Sequence, residues 1–260
     1  MVNLKDCLVA FCLIMWSTVA AAGQLDIGKQ LDEYSSTYNK IDMQEKGSAI
    51  ETLVNLDLKL RAFTKEIRNQ RGEPYWKRDY EKLGLGINHY TDAFDYYGTL
   101  LSKAHKIDPN SKFRKYTLFT EINSDGYCWV EKPQHLEAAF QYLKEFPNGP
   151  FASKVYEALG SFYGSFYECI KYHKEELEKD SQLKPSEFDS CADVFQQYIK
   201  KPSMVSADMQ EKQAKDNTIK YYEAYLKTDK NPSKRIEKAL IELKEGTEVK
   251  MRHGIYSCPD

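Results

Sequence analysis

Residues 136–163 read LEAAFQYLKEFPNGPFASKVYEALGSFY. Two runs rich in Ala, Leu and aromatics flank Phe146-Pro147-Asn148-Gly149-Pro150, and Gly and Pro punctuate local structure more strongly than other residues. The stretch predicts a helix, a turn and a second helix. Related text ends two further predicted helices, at Lys106-Ile107-Asp108-Pro109-Asn110 and at Lys227-Thr228-Asp229-Lys230-Asn231-Pro232. Prolines 74, 109, 147 and 185 stand 35, 38 and 38 residues apart. A period in the mid-thirties with paired helices between turns is the mark of a helical solenoid, because one helix pair cannot bury both of its apolar faces and stacks on the next.

Outward from this stretch the chain continues to predict helices. Ile50, Leu53, Val54, Leu60, Phe63 and Ile67 fall near helical spacing, and Arg71-Gly72-Glu73-Pro74 closes that segment. Helices are expected over 75–86 and 88–107, the second with Tyr90, Phe94, Tyr97 and Leu101 as its apolar stripe. The run 234–250 is amphipathic with mixed charge, and its Ile236, Leu240 and Leu243 stripe suits a helix that caps the end of a stack. No segment sustains period-two alternation; Tyr127-Cys128-Trp129-Val130 comes nearest and is short. The expected fold is all-α.

Leu136 to Ala152, continuing through Val155-Tyr156-Glu157-Ala158-Leu159-Gly160-Ser161-Phe162-Tyr163, resembles the repeat junction of bacterial envelope tetratricopeptide proteins, above all the helical lipoproteins of outer-membrane protein assembly. Thr218 to Lys227 followed by Pro232-Ser233 resembles a degenerate second copy. Tyr80, Leu83-Gly84, Ala104 and Pro109 resemble a third with one residue inserted. The likeness covers about half the mature chain. It departs at Tyr97, where the repeat takes a small side chain, and over 171–216, which match nothing well. The resemblance implies a tetratricopeptide-like helical-hairpin solenoid that works as a binding scaffold, and it transfers no catalytic residue.

The first 22 residues predict an export signal. Lys5 precedes an apolar run from Cys7 to Trp16 that ends in Ala20-Ala21-Ala22, and the run is shorter than the roughly 20 apolar residues a spanning helix needs. Cys12 follows Phe11, where lipidation sites want a small residue, so lipid attachment is not expected. The mature chain then holds Cys128, Cys169, Cys191 and Cys258, which in an oxidising compartment predict two disulfides. Of the three pairings, Cys169–Cys191 with Cys128–Cys258 is favoured, since the first would join two predicted helices and the second would tie down the C-terminal tail. No Asn-x-Ser/Thr sequon occurs, which favours a bacterial envelope over a eukaryotic secretory route. The expected organisation is signal peptide 1–22, N-terminal helical segment 23–73, repeat domain 74–250 and tail 251–260, with an exported, periplasmic or secreted location and no transmembrane span after cleavage.

Composition narrows the partners. With 37 Lys+Arg against 39 Asp+Glu in 260 residues, the net charge is −2, which offers no basic field for nucleic acid. No His-Glu-x-x-His, nucleophile elbow, phosphate loop or Cys-x-x-Cys pair is present, so no catalytic residue, cofactor or metal is assigned. The nearest polar constellation is Glu168, His173 and Glu176; Lys171, Lys174, Glu175, Glu178 and Lys179 around it read as a solvated helix face. Gly160 and Gly164, four apart amid Phe162, Tyr163, Phe166 and Tyr167, predict close approach of another helix. The expected function is a non-catalytic scaffold or adaptor that binds a protein partner through a groove carrying Tyr90, Tyr97, Tyr163 and Tyr167. Two alternatives stand beside it: a peptidoglycan or carbohydrate binder using exposed aromatics, and an α-helical enzyme or metal binder using Glu168, His173 and Glu176.

Overall fold

A computed structural model describes residues 26–122, 133–178, 198–200 and 204–246. The expected signal segment 1–22, the expected tail 251–260, and Cys128, Cys191 and Cys258 lie outside the described residues. Within them the chain is predominantly helical: α1 Ile27–Tyr38, α2 Lys46–Glu66, α3 Thr99–Ile107, α4 Arg114–Thr117, α5 Pro133–Glu145, α6 Ala152–Tyr172, α7 Lys174–Glu178, α8 Ala207–Thr228 and α9 Lys234–Glu245.

The sequence stripes become cores. Every residue of the Ile50-to-Ile67 set is buried, with α2 lying between α1 and α3. Ile236, Leu240 and Leu243 are the buried side of α9, which packs on α8 and ends at Gly246 in the left-handed region, φ 71°. Asp26 caps α1 by accepting from the Lys29 N–H, and Ser206 caps α8 by accepting from Met209.

The helices expected over 75–86 and 88–107 are not there. Short 3-10 turns at Glu73–Tyr75 and Arg78–Leu83 lead into an antiparallel hairpin, β1 Leu85–Ile87 and β2 Phe94–Tyr96, with Leu85 opposite Tyr96 and Ile87 opposite Phe94. Only residues 99–107 of the second expected helix are α-helical. Gly84 at φ 77° and Gly98 at φ 69° stand at the two ends of the hairpin. A right-handed helix cannot run through either conformation. The Tyr90–Phe94–Tyr97–Leu101 stripe therefore dissolves: Phe94 and Leu101 are buried, and Tyr90 is fully exposed. The Tyr80–Leu83–Gly84 copy of the repeat falls for the same reason, since Gly84 ends a 3-10 turn.

In the second half, α6 lies against α8. Gly160 meets Tyr222, Tyr163 stacks on Tyr221, and Lys174 pairs with Asp208 and Glu211. As the chain runs forward along α6 and into α7 its contacts on α8 run backward, so α6 and α8 are antiparallel. A Cβ on Gly160 would overlap the Tyr222 ring at Cδ1, which is why the glycine is needed. One continuous core joins this pair to the N-terminal helices. Across the join, Arg114 of α4 grips Glu145 of α5 through two hydrogen bonds of 2.9 and 3.1 Å.

Two expected outcomes test this packing. Gly160→Ala pushes a methyl into the Tyr222 ring and is expected to lower unfolding stability by about 1–3 kcal/mol in urea melts; a neutral result would show that the helices do not approach this closely. The Arg114 hydrogen bonds pull the Glu145 carboxyl down to about 2. A carboxyl depressed on folding contributes stability above its ordinary 4.5 that is lost as pH falls toward 2. The stability gap between the wild type and Glu145→Gln is expected to close over that window in acid titrations.

Candidate functional site

The four tyrosines of the expected groove lie on two elements. Tyr90 caps the hairpin with 99% of its surface exposed, and Tyr97, 40% exposed, follows β2 with its ring across Gly86, where a Cβ would come within 2.5 Å of the Tyr97 hydroxyl. Tyr163 and Tyr167 are half-buried on α6. Tyr167 packs into the cores that α6 shares with α8 and α9.

Around Tyr163 the fold assembles an aromatic ledge of which the sequence announced only that one ring. Tyr163 of α6 stacks on Tyr221 of α8, 5.7 Å between centroids and 13° between planes. Phe140 of α5 continues the run 6.5 Å beyond Tyr221. Tyr163 meets Phe162 edge-on at 5.2 Å on the other side. Burial pushes the Tyr221 phenol up to about 12 and the Tyr163 phenol upward as well. Phe140 forms the open rim, 39% exposed. Three helices contribute one ring each, so no single periodicity marks the ledge.

The hairpin hangs on a buried ionic cluster, also unforeseen. Asp57 sits in the apolar body of α2 with 0% exposure. It accepts from Arg61 Nε at 2.6 Å and from the Tyr96 hydroxyl at 2.5 Å. The Arg61 guanidinium lies 5.4 Å from the Tyr96 ring centroid and 5.5 Å from that of Phe151. A Cβ on Gly98 would come within 2.6 Å of Arg61 Nη2. Burial holds the Asp57 carboxyl above its ordinary 3.8, against the pull of Arg61, Tyr96 and the more distant Lys154. The signal in the sequence is one Asp inside an apolar stripe with Arg four residues on. Isolated, that spacing describes any surface helix pair.

The rival constellation lies only partly within the described residues, with Glu168 on α6. His173 is buried at the C-terminal end of α6, donates its backbone N–H to the Cys169 carbonyl and packs edge-on against Tyr172. The Glu176 side chain lies outside the described residues. No trio of His, Cys, Asp or Glu side chains among them is placed to hold a metal ion. Cys169 is fully buried on α6. No helix among the described residues is long and apolar enough to cross a membrane.

The Asp57 cluster gives a signed expectation. A carboxyl raised on folding favours the folded state most below its ordinary 3.8, and that contribution is lost as pH rises through the folded-state value. The stability of the wild type relative to Asp57→Asn is expected to decline as pH climbs from 3 toward neutrality. A difference that grows with pH would mean that Arg61 outweighs burial.

The chain matches no known family model, no curated protein and no solved structure.

Proposed function

We propose that this is an exported, non-catalytic helical-repeat protein that acts as a scaffold or adaptor, binding another protein in the cell envelope through aromatic side chains. The observation that carries the reading is the aromatic ledge, where the half-open Phe140 ring of α5 extends the stack that Tyr221 of α8 makes with Tyr163 of α6. Aromatics held at a rim by packed neighbours are typical anchors of protein interfaces.

The solenoid part of the proposal draws support from the turns. The Asp108 and Asp229 carboxylates each accept from the N–H two residues on, Asn110 and Asn231, at 3.0 and 2.9 Å. The Tyr142 and Tyr225 hydroxyls each accept an N–H beyond a proline turn, from Phe151 and Ser233, at 3.1 and 3.0 Å. These turns separate α3 from α4, α5 from α6 and α8 from α9, and each pair is packed together. The proposal includes the Cys169–Cys191 staple. Its support is that Cys169 is buried and carries a bonded sulfur instead of a titrating thiol. Export rests on the sequence of residues 1–22.

The test is crosslinking in the producing cells followed by affinity purification of the mature protein. One protein is expected in near-stoichiometric amount, and it is lost from Phe140→Ser, whose helicity by circular dichroism stays that of the wild type. Recovery of no specific protein across several crosslinker lengths would refute the scaffold.

A further inference from the structure

We propose that the seam between α6 and α8 carries a site for a peptide segment, filled in this chain by its own Tyr198-Ile199-Lys200, and that a partner's segment with phenylalanine in the first place displaces them. The inference goes beyond the scaffold reading above, since it assigns a second site and the class of ligand that site takes.

The centre of the site takes hold of backbone. Gln210, near the start of α8, is 5% exposed. Its side-chain oxygen accepts from the Lys200 N–H at 2.9 Å, and its amide nitrogen donates to the Lys200 carbonyl at 2.8 Å. One side-chain amide thus meets both polar groups of a single residue, as a neighbouring strand would, and main-chain bonds of this kind hold a peptide whatever its side chains. The same nitrogen donates to the Val205 carbonyl at 2.9 Å, which fixes the amide from a second direction. The Lys200 side chain is exposed, so the third place takes any residue that has a backbone N–H.

The other two places are apolar. The Tyr198 ring meets Phe162 of α6 edge-on at 5.0 Å and Phe166 at 6.3 Å. Those two rings stand one turn apart on α6 with 25° between their planes. Ile199 packs with Ile170, Leu177, Ala207 and Ala214, drawn from α6, α7 and α8. Phe162 also meets Tyr163 of the ledge, so the site adjoins the ledge without using Phe140.

The resident segment fits imperfectly. The Tyr198 hydroxyl is buried and has no hydrogen-bond partner among the described residues. A buried hydroxyl left unpaired carries a desolvation penalty that a phenyl ring of nearly the same shape avoids. Residues 198–200 belong to no helix or strand, and a side chain, not a backbone ladder, ties them to α8. Their advantage is attachment, because a tethered segment competes at an effective concentration on the order of mM. A segment arriving from outside has to bind better than the resident one, and phenylalanine in the first place supplies the difference.

The test titrates the mature chain carrying Tyr198→Ala with a labelled peptide of residues 196–203, QQYIKKPS, and with its counterpart QQFIKKPS. Both are expected to bind saturably, the phenylalanine peptide tighter by about 5-fold or more. The wild type is expected to bind either peptide about 10-fold more weakly or worse, its own segment being in place. Adding Gln210→Leu to the Tyr198→Ala chain is expected to abolish binding while helicity by circular dichroism is kept. No saturable binding to a Tyr198→Ala chain of wild-type helicity, a phenylalanine peptide no tighter than the tyrosine one, or indifference to Gln210→Leu overturns the site. Should Tyr198→Ala lose its helicity, two measurements on intact folds decide. Tyr198→Phe is expected to raise the urea midpoint, and the wild type is expected to bind QQFIKKPS at millimolar concentration; a lowered midpoint or no binding overturns the proposal. Peptide binding with no cellular partner captured leaves this site standing and sinks the scaffold. A captured partner lost with Phe140→Ser, where no peptide binds, does the reverse.

Discussion

Phe151 is the residue on which the two halves of the molecule depend. It follows the Pro147-Asn148-Gly149-Pro150 break, stands at the N-cap of α6 and is almost wholly buried. Its ring meets Tyr116 of α4 edge-on and stacks at 4.4 Å on Phe119 of the 3-10 turn Leu118–Glu121 that follows, while the Arg61 guanidinium of α2 covers it. Its N–H donates to the Tyr142 hydroxyl, which in turn donates to the Lys115 carbonyl at 3.0 Å. An unmet buried N–H costs about 1–3 kcal/mol, so the tyrosine is a structural requirement of the turn. Gly149 completes the arrangement, because a Cβ there would sit 2.7 Å from that same hydroxyl. The residues of the break act separately. The prolines stop the helix, the glycine lets the phenol approach, and the phenylalanine fills the junction.

The Arg61 cluster extends this junction to the hairpin. A buried carboxylate and its guanidinium are a weak source of stability, since desolvation offsets most of their attraction. Their value here is directional. Asp57 takes Arg61 Nε on one oxygen and the Tyr96 hydroxyl on the other, which Arg61 Nη2 also reaches at 3.5 Å, and Arg61 lies close to both Gly98 and Phe151. Leucines in those places would hold the hairpin against α2 without fixing its rotation. The ionic cluster fixes both, and the orientation of the tip follows from it.

Some of this was legible in the residues. The α2 and α9 stripes work because one apolar face per turn is enough to identify an amphipathic helix. Gly160 was readable as a point of close approach, and Tyr222 fills the space it leaves. The recurring turn text carried chemistry as well as spacing, seen in the two Asp–Asn turns and the two tyrosine caps. The region from 75 to 98 misled because strands of three residues are too short to display alternation. Tyr90, Phe94, Tyr97 and Leu101 meanwhile mimic a helical stripe by their spacing. What decides that region is backbone conformation at Gly84 and Gly98, and a glycine in a sequence does not announce the sign of its φ. The ledge was half legible: Tyr163 stood out within its aromatic run, while Phe140 and Tyr221 acquire meaning only through tertiary packing.

The ledge is also a consequence of the glycine seam. Tyr221 and Tyr222 are consecutive on α8, about 100° apart around the helix. When Tyr222 drops into the space above Gly160, Tyr221 is turned toward Tyr163 and onward to Phe140. A larger residue at 160 would lift Tyr222 and rotate or displace α8, and the Tyr221–Tyr163 stack would open with it. The exposed rim ring on α5 thus depends on a buried position of α6. The absence of one Cβ sets the helix separation, the separation sets the rotation of α8, and the rotation places the rings.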